Sequence, residues 1–211
     1  MNNRLALVVL LAAMDGGSMY AAEKTRVDVY MNDRDDSAQL LGPGKVLASG
    51  IFDQIGVRLV WHNGELLAAT SAGVDASQPV FAIRTSEHPL ESATSTALAS
   101  ARIVGSSGTE ITVYKDRLQR FLADHSSVAG VAAGYVLAHE LAHVMQGGAR
   151  HSESGILKAN WTREDCQAMV FHKLVFTPLD VELIHRGLAV QRASRRSEPV
   201  LVAEIASLTE K

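Results

Sequence analysis

The residues best placed to do chemistry are His139, Glu140 and His143, within the string His139-Glu140-Leu141-Ala142-His143. Residues four apart on a helix sit one turn apart on the same face. Two imidazoles so spaced can reach one metal ion, and zinc takes histidine nitrogen at about 2.0–2.1 Å. Glu140 is rotated about 100° from His139. Its carboxylate is therefore directed at a water on the metal rather than at the metal. Zinc lowers the pKa of such a water to about 7. Glu140 can then take the proton during attack on a carbonyl and pass it to the leaving group.

A tetrahedral catalytic site needs a third protein ligand and one open position. His151 is the favoured third ligand. Gly147-Gly148 end the helix, and the chain between His143 and His151 is long enough to return to the helix face. Glu153, Glu164 and Asp165 are the carboxylate alternatives. His62, His88, His125, His172 and His185 are scattered and read as surface or satisfied core histidines. Cys166 is the single cysteine. It excludes an internal disulfide and a thiolate zinc cluster. Near a helix start it reads as a small buried hydrophobe.

Around this string the chain must supply a helix and a frame to hold it. Val128–Gln146 carries apolar residues at Val128, Val131, Tyr135, Ala138, Ala142 and Met145, which predicts a long helix with a buried stripe. Its N-cap is expected in His125-Ser126-Ser127, and Gly147 should stop it. Upstream, strands are expected at Arg26–Met31 (half-buried), Val57–Trp61, Pro79–Arg84, Ala97–Val104 and Glu110–Tyr114. A helix over Gly44–Gln54 falls between the first two, with Gly42-Pro43-Gly44 interrupting its start. Ser86–Ser95 and Gly105–Gly108 read as loops. Short helices follow at Asp116–Ala123, Thr162–Leu174 and Thr177–Val190, with Pro178 in a first turn where proline is tolerated. The expected fold class is α/β (α+β). A mixed twisted sheet packs on the long helix, and a mainly helical C-terminal part follows.

The 211 residues are enough for one domain that needs no staples. The formal net charge of -3 gives no electrostatic reason for a nucleic-acid partner. At the N-terminus, Arg4 precedes an apolar run from Leu5 to Met14, broken by Asp15-Gly16-Gly17-Ser18. The run is too short to span a bilayer and reads as a signal peptide over residues 1–22, the alternative being a retained anchor. The expected organisation is a single catalytic domain over 23–190 and a tail over 191–211. The expected location is secreted or periplasmic, with no stable membrane association after signal removal, as a monomer.

The string from His139 to His151, HELAHVMQGGARH, resembles the metzincin zinc signature HExxHxxGxxH. The segment Ser154–Trp161 resembles the part of that clan holding the methionine turn. Residues 26 to about 187 resemble a group of uncharacterised secreted bacterial proteins carrying HExxH. The chain departs from the signature. The third histidine follows His139 by twelve residues rather than ten, Gln146 stands where the glycine is usual, and Leu157 stands where the methionine is usual. The resemblance implies a zincin-like fold, one zinc per chain on His139, His143 and His151, and an apolar floor at Ile156 and Leu157. It also implies a cleft-lining strand at Leu98, Ala99, Ser100 and Ala101, whose backbone pairs with an extended peptide. The expected activity is zinc-dependent hydrolysis of peptide or protein substrates by a secreted metalloendopeptidase. A zinc-binding but inactive binding module, and an amidase acting on cell-wall cross-links, are the alternatives.

Overall fold

The computed structural model describes residues 24–31, 37–64, 78–88, 97–104, 108–124, 128 and 131–197. The expected signal peptide, the expected N-cap at His125-Ser126-Ser127, most of the expected loops over Ser86–Ser95 and Gly105–Gly108, and the tail beyond Ser197 lie outside the described residues. Among the described residues, no helix is long and apolar enough to cross a membrane.

Among the described residues, five strands and five helices follow one another: β1 Thr25–Met31, α1 Ser37–Gln54, β2 Val57–Asn63, β3 Val80–Ser86, β4 Ala99–Val104, β5 Gly108–Tyr114, α2 Lys115–Asp124, α3 Ala132–Gln146, α4 Arg163–Val170 and α5 Pro178–Ser197. The strands form one sheet in the order β2-β1-β3-β5-β4. All neighbours are parallel except β4, which runs antiparallel to β5 from Ala99↔Val113 to Val104↔Gly108. The architecture is thus a mixed α/β fold.

The core lies between the sheet and the helices. Val27, Val29, Phe81, Ile83, Ile111 and Val113 from the strands share one apolar cluster with Leu41, Phe52, Leu137 and Leu141 from α1 and α3. β1 differs from its half-buried expectation. Asp28 and Tyr30, which alternate with the core residues, are buried too: β1 lies between β2 and β3, and on that face Tyr30 stacks on His62 and packs with Val80 and Ala82. Asp28 is satisfied there by the Arg26 guanidinium at 2.7 Å and by His62 Nε2 at 2.6 Å. Burial pushes its carboxyl up, but Arg26 and His62 outweigh that and hold it below the usual aspartate range.

Four helices differ from expectation. α1 begins at Ser37 and runs through Pro43 instead of starting after it. The missing proline N–H weakens a helix locally, but α1 lies along α3 and that packing continues through the interruption. Gly44 explains the closeness: a Cβ there would come within 2.8 Å of the Ala133 and Gly134 backbone. α3 begins at Ala132, not Val128. Val131 is outside the helical region at φ -123°, and its carbonyl accepts the Gly134 N–H. α4 stops at Val170 rather than Leu174. His172 takes a left-handed φ of 54°, and the His172 and Lys173 N–H groups close back onto the Met169 and Ala168 carbonyls, a Schellman closure. α5, by contrast, continues past Val190 to Ser197.

Candidate metal centre

α3 carries the His-Glu-His string in its last two turns, and its first eight residues, Ala132–His139, are buried. Gly147 ends the helix in the left-handed region at φ 74°, donating its N–H to the His143 and Val144 carbonyls. Gly148 also donates to the His143 carbonyl. The chain then doubles back and brings His151 over the helix. One potential ligand nitrogen from each of His139, His143 and His151 lies within 4.8 Å of the others. The ring centroid of His151 is 4.8 Å from that of His143 and 5.5 Å from that of His139. The Nε2 atoms of His139 and His143 are 2.9 Å apart. The carboxylate alternatives do not join them. Glu153 and Glu164 are exposed, while Asp165 caps α4 through Thr162 and pairs with Lys158 at 2.6 Å.

The donor set fits a zinc ion. His139 Nδ1 donates to the Ile156 carbonyl at 2.8 Å, so the proton sits on Nδ1 and the Nε2 lone pair is free. Burial holds His139 down to about 4, against a smaller upward pull from the Ile156 hydrogen bond. Burial, and then the neighbouring His139 and His151, hold His143 down to about 4 as well. Both rings are neutral near pH 7, as a ligand must be. The buried Nδ1 of His143 makes no hydrogen bond, although the Gly148 backbone exerts a slight upward pull on the ring without meeting hydrogen-bond geometry.

Glu140 stands beside the trio with no hydrogen-bond partner or ion pair among the described residues. Desolvation alone raises its carboxyl to about 7. Part of its surface remains open, so the group is removed from bulk water without being sealed. A carboxylate tuned to that range is suited to exchanging protons at neutral pH.

The floor is built by residues 155–157. Gly155 has φ 78°, and a Cβ there would lie 2.3 Å from the Val175 carbonyl oxygen. That carbonyl in turn accepts the Ile156 N–H. Ile156 and Leu157 are both fully buried. The Ile156 carbonyl is shared by His139 and by the Trp161 indole N–H at 3.2 Å. Trp161 meets the His139 ring edge-on at 5.5 Å between centroids and the Phe121 ring at 6.1 Å. This aromatic support was not anticipated from sequence, where a lone tryptophan in an irregular stretch has no period to mark it.

Leu98–Ala101 spans the start of β4, which pairs with β5 on one side and has no strand on the other among the described residues. The Tyr114 N–H donates to the Leu98 carbonyl at 2.9 Å. Antiparallel alternation then turns the backbone N–H and C=O of Ala99 and Ala101 away from β5. The Ser100 hydroxyl accepts from the Tyr114 hydroxyl at 2.6 Å. Cys166 is buried, and burial raises its thiol. His62 pairs with Asp28, and His185 bonds the Ile55 carbonyl at 2.7 Å.

A separate groove of about 410 Å³ lies between α1 and the connection leading to α5, lined by Leu47, Ile51, Ile55, Tyr135, Leu174 and Phe176 among others. None of the three histidines lines it, nor does Glu140. No family model, curated protein or solved structure matches the chain.

Proposed function

We propose that the chain is a zinc-dependent hydrolase of metzincin-like type, a secreted metalloendopeptidase acting on peptide or protein substrates. The observation that carries this reading is the convergence of His139, His143 and His151 beside a desolvated Glu140. A zinc ion held by His139, His143 and His151 would supply Lewis acidity and lower the pKa of a bound water to about 7. His139 and His143 offer neutral nitrogens at neutral pH, and the Ile156 carbonyl keeps the His139 proton on the far nitrogen. Glu140 takes a proton at its carboxylate and returns it to the departing amine, the exchange for which a carboxyl near 7 is suited. An extended peptide lying along β4 would meet the outward N–H and C=O groups of Ala99 and Ala101.

Zinc content and turnover should be measured together. Wild type should hold about one zinc per chain and cleave members of a broad peptide library. Glu140→Gln should keep the zinc and lose the cleavage. A Glu140→Gln protein that cleaves the library as well as wild type defeats the mechanism.

A further inference from the structure

His151 is the least anchored of the three histidines. It is exposed, lies on a loop, and its ring makes no hydrogen bond among the described residues. Its two neighbours in the chain are held far more firmly, and by one group. Asp180 is completely buried. Its Oδ1 accepts from Arg150 Nη1 at 2.9 Å and from the Ser152 hydroxyl. Arg150 Nη1 also donates to Ser152 Oγ at 3.0 Å, closing a triangle around the backbone of His151. The other oxygen, Oδ2, accepts the Thr177 N–H at 3.0 Å at the start of α5. One carboxylate thus ties the residues on both sides of His151 to the first turn of a twenty-residue helix. That helix is itself seated on α3, where a Cβ on Gly187 would lie 2.0 Å from the Met145 carbonyl oxygen.

We infer that Asp180 is a positioning residue for the metal centre: through Arg150 and Ser152 it fixes the loop that presents His151 to His139 and His143. This rests on the metal reading above. A flexible third ligand must be ordered on each binding event, whereas a clamped one is ordered in advance. Partners outside the ligand shell that orient ligands change metal affinity by about 10–100-fold when removed. Asp180 does not touch the metal in this account. It acts only through the two residues that flank a ligand.

The test uses the full chain with zinc and cobalt(II) ions as probes. Zinc affinity is read by competition with a chelator, coordination by the cobalt absorption spectrum, and stability by thermal unfolding. Asp180→Asn and Ser152→Ala should weaken zinc by about 10–100-fold and move the cobalt spectrum towards that of His151→Ala. Leu188→Ala removes a buried side chain from the same helix, well away from the clamp. It should lower the melting temperature while leaving zinc affinity and the cobalt spectrum as in wild type. If Asp180→Asn does not fold, Ser152→Ala and Arg150→Ala carry the test, since both leave the carboxylate and its helix cap in place. Wild type binding zinc, with Ser152→Ala and Arg150→Ala binding it equally tightly, overturns the clamp alone. Wild type that binds neither ion overturns the metal reading and the clamp with it.

Discussion

His139 Nδ1 donates to the Ile156 carbonyl at 2.8 Å, across seventeen residues of chain. That single bond joins the helix bearing the motif to the floor beneath it and determines which nitrogen of His139 faces the other histidines. Glu140 is one residue away on the same helix. Its replacement is the sharpest test of the chemistry, because Gln preserves size while removing the base. Loss of a general base costs about 10²–10⁴-fold in rate. Glu140→Gln should lose activity on that scale with zinc content unchanged by elemental analysis.

The stability of the metal-free protein should depend on pH with two opposing contributions. His139 and His143 have folded values near 4, below their ordinary 6.5. Between about 4 and 6.5 the unfolded chain binds the extra protons, so these histidines make stability rise with pH and fall on acidification. Glu140 has a folded value near 7, above its ordinary 4.5. Between about 4.5 and 7 the folded chain binds the extra proton, so this group makes stability fall as pH rises. Two histidines outweigh one carboxyl, and the wild-type curve should climb from pH 4 towards 6.5. In Glu140→Gln the climb should be steeper, and the stability of that variant relative to wild type should grow steadily from pH 4.5 to 7. Denaturant melts in excess chelator across that range measure both, and parallel curves for the two proteins count against the desolvated carboxyl.

Gly155→Ala should damage both fold and site. The left-handed conformation costs an L-residue about 1–2 kcal/mol, and the new methyl would press on the Val175 carbonyl oxygen. Relief requires moving the Ile156 backbone, whose carbonyl orients His139. Calorimetry should record a lower melting temperature, and a chelator titration should record weaker zinc binding.

Asp165 caps α4 and pairs with Lys158, so it is expected to stay out of the ligand set. Thr162 and Asp165 form a reciprocal capping box at the start of α4. Thr162→Ala should cost about 0.5–2 kcal/mol of stability and leave zinc content intact. Asp165→Asn should also retain zinc. A metal-free Asp165→Asn protein that is otherwise folded would place a carboxylate in the ligand set and remove His151 from it.

Ala101→Pro probes the edge of β4 that has no strand partner among the described residues. Ala101 points its N–H away from β5, so proline there removes a donor without breaking a ladder bond. The variant should melt near wild type and hold zinc, yet show a lower kcat/KM on extended peptides. Unchanged kcat/KM across several peptides would mean that substrate does not pair with this strand.

Much of the site is visible in the linear order of residues because its determinants are local. Helical spacing puts His139 and His143 on one face, and the paired glycines after Gln146 announce the turn that returns His151. All five strands fall within two residues of both ends read from their apolar patterns; α1, α3, α4 and α5 depart further. Pro43 is a local signal to stop that helix packing overrides. His172 ends α4 in a conformation that histidine seldom adopts, so no residue type announces the stop there.

The chain by itself determined which groups could bind a metal, since residue type and a four-residue spacing suffice to put two imidazoles on one helical face. Tertiary structure decided the rest. The neutrality of the rings follows from burial by distant segments. The tautomer of His139 follows from a carbonyl seventeen residues away, and the hold on the His151 loop follows from Asp180, thirty residues beyond Arg150. Such partners have no sequence period connecting them, because contact between α3, the floor and α5 exists only once the core has brought those elements together.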